Sequence, residues 1–303
     1  MALLRTGFSD QFFSTALPLL EEVIMEQYGS KPDMIPMVYN VEGSDKWGEQ
    51  DSTVTGFGIA PVKSENAPVY YDDVFQGYDT TYTHTTYALA FRVSKEMVDD
   101  EKFGMIKKSA MALGRSMFNT RQIEASSNFN NGFNASFTGP DGVELFSTVH
   151  PLIGGGTASN ELAAAADLSV TSLRQALDDM EDTVDERGLL INVVPEYLLV
   201  PNELIWDAEE LLKSSLRPDT SDNPINAFQI KNLDYMVWNY LTDPDAWFLL
   251  AAKNDHNLKF YEREPVNVSS DYDFEADASK TKTRCRFSHG WSDWRGTFAS
   301  PGV

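Results

Sequence analysis

The sequence has little of what most disulfide-bonded, zinc-binding or membrane-spanning proteins need. Its 303 residues include a single cysteine, Cys285, which excludes an intrachain disulfide and a cysteine-built zinc site. No stretch approaches the roughly 20 apolar residues of a membrane span, and the N-terminus is too short in its apolar part for a signal peptide. We therefore expect synthesis in the cytoplasm, with Cys285 packed between Arg284 and Arg286 in a strand.

Positive charge is also scarce. The chain carries 24 Lys and Arg residues against 46 Asp and Glu residues, a formal net charge of −22. Such a surface repels phosphate backbones and argues against tight nucleic-acid binding, which needs clustered basic residues. The charge fits an ordinary solvated acidic surface. It fits equally the wall of a container that must not adhere to packed DNA.

Catalytic patterns are missing as well. Gly154–Gly156 lacks the Lys-Ser/Thr of a phosphate-binding loop, and 271–277 lacks the glycine and distal glutamate of a calcium loop. No metal-binding pair occurs among the histidines, which are His84, His150, His256 and His289. We predict no catalytic residue, no metal site and no cofactor, and expect each histidine to have local partners.

Hydrophobic periodicity predicts a mixed chain without internal repeats. Strands are predicted over 80–93, 197–201, 235–238, 246–250 and most of 257–299, and helices over 9–29, 94–128, 171–186 and 202–214. The helix from Ser94 is the longest, and about 30 residues span roughly 45 Å, the length of a strut. Asp99-Asp100 or Gly104 could kink its start. Its predicted apolar stripe contains Val98, Met105, Ile106, Ala112, Leu113, Met117, Ile123 and Ala125.

Residues 42–79 combine many acids with many aromatics but few Leu or Ile residues. Such a segment cannot bury a core of its own. One interpretation is a long loop packed on its own domain, and the other is an arm that is buried on a neighbouring subunit. On the second interpretation the candidate inter-subunit contacts are Trp47, Phe57, Tyr70, Tyr71, Phe75 and Tyr78.

Charges alternate along 271–286, with acids first and bases after. A turn at Ala278-Ser279 would pair Asp277 with Lys280 and continue outward to Asp271 with Arg286. The intermediate pairs would be Glu275 with Lys282 and Asp273 with Arg284. Alternatively, the acidic half is a solvated loop and only the basic half is a strand.

The stretch 128–151 carries the most specific signal. Asn131-Gly132-Phe133 is followed by the turn Gly139-Pro140-Asp141-Gly142 and then by Leu145-Phe146-Ser147-Thr148-Val149-His150-Pro151. With Tyr197 to Pro201, Asp222-Asn223-Pro224, Thr242 to Trp247 and Trp294-Arg295-Gly296, it resembles the major capsid proteins of tailed phages. The similarity is greatest to the Mu-like major head subunit family.

The resemblance implies an α+β fold of the Hong Kong 97 type. Its parts would be an N-terminal arm at 1–41, an extended loop at 42–92, and an axial domain at 188–255. A peripheral domain at 93–187 and 256–303 would contain the spine helix, at about 94–130. Because the N-terminal arm begins almost at Met1, any scaffold is expected to be a separate protein.

The implied function is a major capsid protein, not an enzyme, that self-assembles into an icosahedral shell enclosing double-stranded DNA. Its partners would be its own copies in hexamers and pentamers, with separate scaffolding, portal and cement proteins allowed. Packaged DNA would not be bound specifically, no membrane would be involved, and assembly would take place in the host cytoplasm. Two alternatives stay open: an encapsulin-like compartment shell and an acidic metal-dependent hydrolase. The role of Lys63, solvated or cross-linked, also stays open.

Overall fold

The computed structural model describes residues 17–100, 103–214, 226, 228–231 and 233–303. The helices are α1 (Leu17–Tyr28), α2 (Ile35–Val38), α3 (Lys95–Asp99), α4 (Phe103–Asn130), α5 (Val170–Glu181), α6 (Ile205–Lys213) and α7 (Phe228–Lys231). The strands are β1 (Asn40–Gly43), β2 (Gly48–Val54), β3 (Gln76–Thr83), β4 (Thr85–Ser94), β5 (His150–Pro151), β6 (Thr157–Ala158), β7 (Pro195–Val200), β8 (Asp234–Val237), β9 (Trp247–Ala251), β10 (Leu258–Asp273), β11 (Ala278–Trp291) and β12 (Thr297–Ser300). This mixture confirms the predicted α+β class.

The first sheet has the strand order β1-β10-β11-β4 and carries α4 on one face. Alternation along β11 explains the packing, because Thr281, Thr283 and Cys285 are buried while the charged residues between them are exposed. The Cys285 Sγ lies 3.5 Å from the Met117 Sδ of α4. Burial raises the pKa of the Cys285 thiol to about 11, so the predicted packing role is confirmed.

The predicted long helix is present, but it begins later than expected. Ser94 caps only the short α3, where its side chain accepts a hydrogen bond from the Met97 N–H at 3.4 Å. Helix α4 then runs for 28 residues, the longest among the described residues. Its buried face passes through Ile106, Ala110, Leu113 and Phe129. Met105, Ala112 and Ile123 were wrongly placed in the apolar stripe, because they point away from α1 and the sheet and are exposed.

The end of α4 and the turn after it follow the sequence prediction. The helix stops at Asn130, and the Gly132 N–H donates to the Phe129 carbonyl at 3.0 Å. Gly142 has a φ of 82°, in the left-handed region that favours glycine. The chain then reaches the short strand β5 at His150.

The second sheet has the order β12-β9-β7-β8 and is covered by α5 and α6. All five residues of β9 are buried, as is typical of a strand with both faces covered. Because β8 and β9 lie on opposite sides of β7, the turn at 242–245 does not join them into a hairpin. Strand β12 and helix α5 belong to this core, although the predicted boundaries assigned them to the peripheral domain.

Other predicted bounds also differ from the structure. The predicted strand at 80–93 is interrupted at His84, which separates β3 from β4. Helix α5 ends at Glu181 rather than near 186. The predicted helix at 9–29 is present from Leu17, and its first part lies outside the described residues, as does the Asp222-Asn223-Pro224 stretch.

The β10–β11 hairpin exists, but its predicted register was wrong. Lys280 is opposite Asp271 instead of Asp277, and Lys282 and Arg284 are opposite Ser269 and Asn267. The reversal occurs over 274–277, where Asp277 has a φ of 47°, rather than at Ala278-Ser279. From Lys280 to Arg284 the difference is an even number of residues, so these side chains keep the predicted face while their partners change.

Candidate assembly surface

Strands β2 and β3 form a two-stranded hairpin that is closed by the loop 55–75. We call residues 42–83 the arm. Its base is anchored to its own chain, because Asp51 Oδ2 lies 2.8 Å from Lys259 Nζ and accepts from Ser292 Oγ at 2.5 Å. Burial acts against ionisation, but hydrogen bonds from Lys259 and Ser292 hold the pKa of Asp51 below its usual value. These contacts therefore fix the position of β2 relative to the first sheet.

Arg187 fastens the loop of the arm to the segment after α5. Its Nη1 lies 2.6 Å from Asp72 Oδ2, which also accepts from the Gly58 N–H at 2.7 Å. These hydrogen bonds, that of Gly58 first, lower the pKa of Asp72. The guanidinium also donates to the Asp73 carbonyl and lies 5.8 Å from the centre of the Phe75 ring. Arg187 thus holds the end of the loop at 72–75, and Asp72 connects this end to Gly58 near the start of the loop.

The loop nevertheless presents its large apolar side chains to solvent. Tyr71 is 88% exposed and Val62 98%. The other exposed large apolar residues of the arm are Trp47, Val54, Phe57, Ile59, Val69, Tyr70, Val74 and Phe75. A concentration of this kind in one segment marks an interaction surface. The structure of the single chain leaves this surface uncovered.

Of the six residues predicted for inter-subunit contact, Tyr78 differs from the other five. It is half-buried, and its hydroxyl donates to the Pro151 carbonyl at 3.2 Å, within the same chain. Burial, together with nearby Glu186, raises its pKa. Phe57, Tyr70, Tyr71 and Phe75 are exposed in the loop, Trp47 is exposed just before β2, and Tyr78 lies in β3 near the loop end of the hairpin.

Trp206 is an exposed aromatic residue that the sequence reasoning missed. It lies in the first turn of α6 and is 75% exposed, whereas Ala208, Leu211 and Leu212 form the buried face of that helix. A helical wheel of 205–213 would have placed Trp206 off the buried face. Leu190 and Val194, just before β7, are exposed as well.

The histidines have local partners, as expected. His84 bonds the hydroxyls of Ser44 and Ser288, and His150 lies 2.6 Å from Asp141 and 2.9 Å from Asn160. His256 accepts a hydrogen bond from the Leu258 N–H, and His289 is hydrogen-bonded to Asn128. Within the described ranges, no cluster of three His, Cys, Asp or Glu residues could hold a metal ion. None of the described helices is long and apolar enough to cross a membrane.

Comparison with known structures shows the same fold in shell-forming proteins. The chain is similar to the procapsid protein of bacteriophage JBD30, with 16% identity, a TM-score of 0.54, and coverage of 95% of this chain and 74% of that one. It is similar to the virus-like particle from Pyrococcus furiosus, with 9% identity, a TM-score of 0.57, and coverage of 94% and 99%. A third similarity is to Microbacterium phage Oxtober96, with 12% identity, a TM-score of 0.53, and coverage of 90% and 93%.

The family comparison covers the region from β3 to β12. A search of curated proteins returned no match. The family model described as phage capsid protein matches residues 77–300, about three quarters of the chain. This range contains the second sheet, the first sheet without β1, and the long helix. The chain therefore belongs to the phage capsid protein family, and it is a structural capsid protein with the Hong Kong 97-type fold.

Proposed function

We propose that copies of this chain assemble, as hexamers and pentamers, into an icosahedral shell that encloses double-stranded DNA. The observation that carries the proposal is the exposure of the large apolar side chains of the arm. The arm is anchored to its own chain through Asp51 and Lys259, yet these side chains lie in solvent. Five of the six aromatic residues predicted for inter-subunit contact are exposed, and an aromatic side chain buries about 150–250 Å². Five of them account for roughly 1,000 Å², a large share of a stable interface of about 1,600 Å².

The arm is held to its own chain by Asp51, Asp72 and Tyr78, and it offers the exposed side of its loop to a neighbouring subunit. Strand β2 contains seven residues, which extend about 23 Å at 3.3 Å per residue. The loop 55–75 continues beyond this hairpin. We infer that Trp47, Phe57, Tyr70, Tyr71 and Phe75 pack on the adjacent subunit, whereas Tyr78 stays on Pro151 of its own chain.

The charge of the chain supports a container for DNA rather than a DNA-binding protein. A net charge of −22 repels the duplex, and each phosphate contact would add salt-dependent adhesion. A wall with little adhesion lets DNA enter and leave. Separate scaffolding, portal and cement proteins, and assembly in the host cytoplasm, are part of this proposal.

An encapsulin-like compartment is the second candidate. The observation in its favour is the similarity to the virus-like particle from Pyrococcus furiosus, which extends over 99% of that chain. Both candidates predict closed shells and differ in the contents. Nuclease-protected DNA inside purified particles supports the first, and a protein cargo without DNA supports the second.

The assembly proposal is tested by a pair of variants. Tyr70→Ser with Tyr71→Ser removes aromatic area from the exposed loop, and we expect at least a tenfold loss of closed particles counted by electron microscopy. The matched control, Tyr70→Phe with Tyr71→Phe, keeps the ring area and should assemble like the wild type. Equal particle yields from the serine variant and the wild type would contradict the role of the arm.

A further inference from the structure

A row of basic side chains lies on the open face of the first sheet. Along β11, Lys280, Lys282, Arg284 and Arg286 alternate with the residues that face α4. Residues directly opposite each other on paired strands point to the same face, and β4 places Arg92 opposite Lys280. Five cations therefore share one surface of a chain whose net charge is −22.

Acids of the same chain neutralise only part of this row. Lys280 pairs with Asp273, and Arg284 Nε lies 3.1 Å from Glu264 Oε2. No ion pair with another described residue is formed by the remaining three, which are Arg92, Lys282 and Arg286. Arg286 Nε donates a hydrogen bond to the His84 carbonyl at 3.4 Å. We call these three residues the basic stripe.

The surface beside the stripe is open. Ala88 and Ala90 of β4 are opposite Arg284 and Lys282, and Ser269 of β10 is opposite Lys282 on the other side. Alternate residues of one strand lie about 6.6 Å apart, so Lys282 and Arg286 are separated by about 13 Å. Small neighbours leave room for a flat, acidic segment to lie along the sheet.

The arm has acids that match this requirement. Glu65, Asp73 and Asp79 are exposed, and none forms an ion pair with a described residue. They lie on or beside the loop that carries the exposed aromatics. Duplex DNA fits less well, because three cations in a strongly acidic chain fall short of the 6–10 phosphate contacts of a typical DNA-binding protein.

We propose that the basic stripe of one subunit receives the acidic segment 57–79 of the arm, which comprises most of the loop and the start of β3, from a second copy of the chain. The inference rests on the proposed shell assembly and names the surface that receives the arm. The ion pairs would set the position of the arm, and the aromatic side chains would supply the buried area.

Cross-linking of mixed-isotope particles tests the contact directly. Subunits with ¹⁵N and with natural nitrogen are co-assembled and treated with a carbodiimide, which joins a lysine amine to a carboxylate without a spacer. We expect peptides of hybrid isotope composition that link Lys282 to Glu65, Asp73 or Asp79. Lys282→Arg keeps the charge but cannot form the amide, so these links should disappear while the particles persist. Assembled particles whose Lys282 links reach only carboxylates outside 57–79 would overturn the inference.

A charge-reversal experiment is the second test. Lys282→Glu with Arg286→Glu should reduce the yield of closed particles at least tenfold, and adding Glu65→Lys with Asp73→Lys should restore it. Lys107→Glu with Lys108→Glu, at exposed positions of α4, is the matched control with the same charge change. Thermal unfolding of the unassembled variants checks that each has folded.

The outcomes separate this inference from the function on which it rests. A wild type that forms no particles contradicts the proposed function. Wild-type particles, together with unchanged yield from the folded Lys282→Glu, Arg286→Glu variant, contradict the stripe alone. Particles of normal yield that lose only their DNA would make the stripe a phosphate contact and would also overturn the inference.

Discussion

His256 shows how a single buried side chain makes this fold sensitive to acid. Its side chain is almost fully buried, and its Nδ1 accepts a hydrogen bond from the Leu258 N–H at 3.3 Å, which requires an unprotonated nitrogen. Burial, assisted by Lys253 and opposed by Asp255, lowers its pKa from 6.5 to about 4. The unfolded chain therefore binds a proton between these two pH values that the folded chain excludes.

The sign of the pH effect follows from this difference. Stability is retained above the unfolded pKa of 6.5 and is lost as the pH falls toward 4, by about 2 kcal/mol for this residue at pH 5. His256→Asn keeps an acceptor for the Leu258 N–H but does not titrate. Urea unfolding of unassembled subunits at pH 7 and pH 5 should show a smaller loss for the variant. The same loss in both proteins would contradict the account.

At the scale of elements, the long helix α4 depends on one buried face. Leu113 is packed in a cluster with Leu20, Ile24, Ile106 and Ala110. An aspartate there would bury an unpaired charge, and we expect a loss of several kcal/mol or no folding. The neighbouring substitution Ala112→Asp lies on the exposed side and should change stability by less than about 1 kcal/mol. Circular dichroism melts of the two unassembled variants provide the comparison.

The Arg187 contacts predict a local change without a global one. Arg187→Ala removes the ion pair to Asp72 and the cation–π contact to Phe75. Amide hydrogen exchange over 55–75 should become faster, while exchange in β7 and β9 stays unchanged. Unchanged protection of the loop in the variant would show that other contacts hold it.

The elements differ in how well the sequence predicted them. The end of α4, the turn at 139–142 and strand β7 carry local signals, such as Gly142 at a positive φ, and these were predicted correctly. The register of β10 and β11 was not, because alternating charges fit several even shifts equally well. The position of β12 beside β9 depends on long-range packing of Phe298 that no local pattern contains.

The candidate surface could be predicted in part for a similar reason. Exposed aromatics in 42–79 followed from the shortage of aliphatic residues to cover them, and Trp47, Tyr70, Tyr71 and Phe75 are exposed in the single chain. Tyr78 is half-buried because β3 brings it next to Pro151, which depends on the tertiary fold. The Arg187 contact with Asp72 joins residues far apart in sequence and left no signal.

At the scale of the whole molecule, charge is expected to decide which surface faces the DNA. The acids outnumber the bases by almost two to one, so we predict an inner surface that is acidic or neutral. Unassembled subunits should not shift duplex DNA in a gel at physiological salt. Tight, salt-dependent binding, or a shell whose inner face is continuously positive, would contradict this prediction.

The central claim is that the chain builds closed shells in which the arm is buried on a neighbour. Cryo-electron microscopy of particles from the purified wild-type protein tests it most directly. We predict closed icosahedral shells in which Trp47, Phe57, Tyr70, Tyr71 and Phe75 of one subunit lie against the adjacent subunit. Subunits that stay unassembled under all conditions tested, or shells in which these five side chains remain in solvent, would contradict the account.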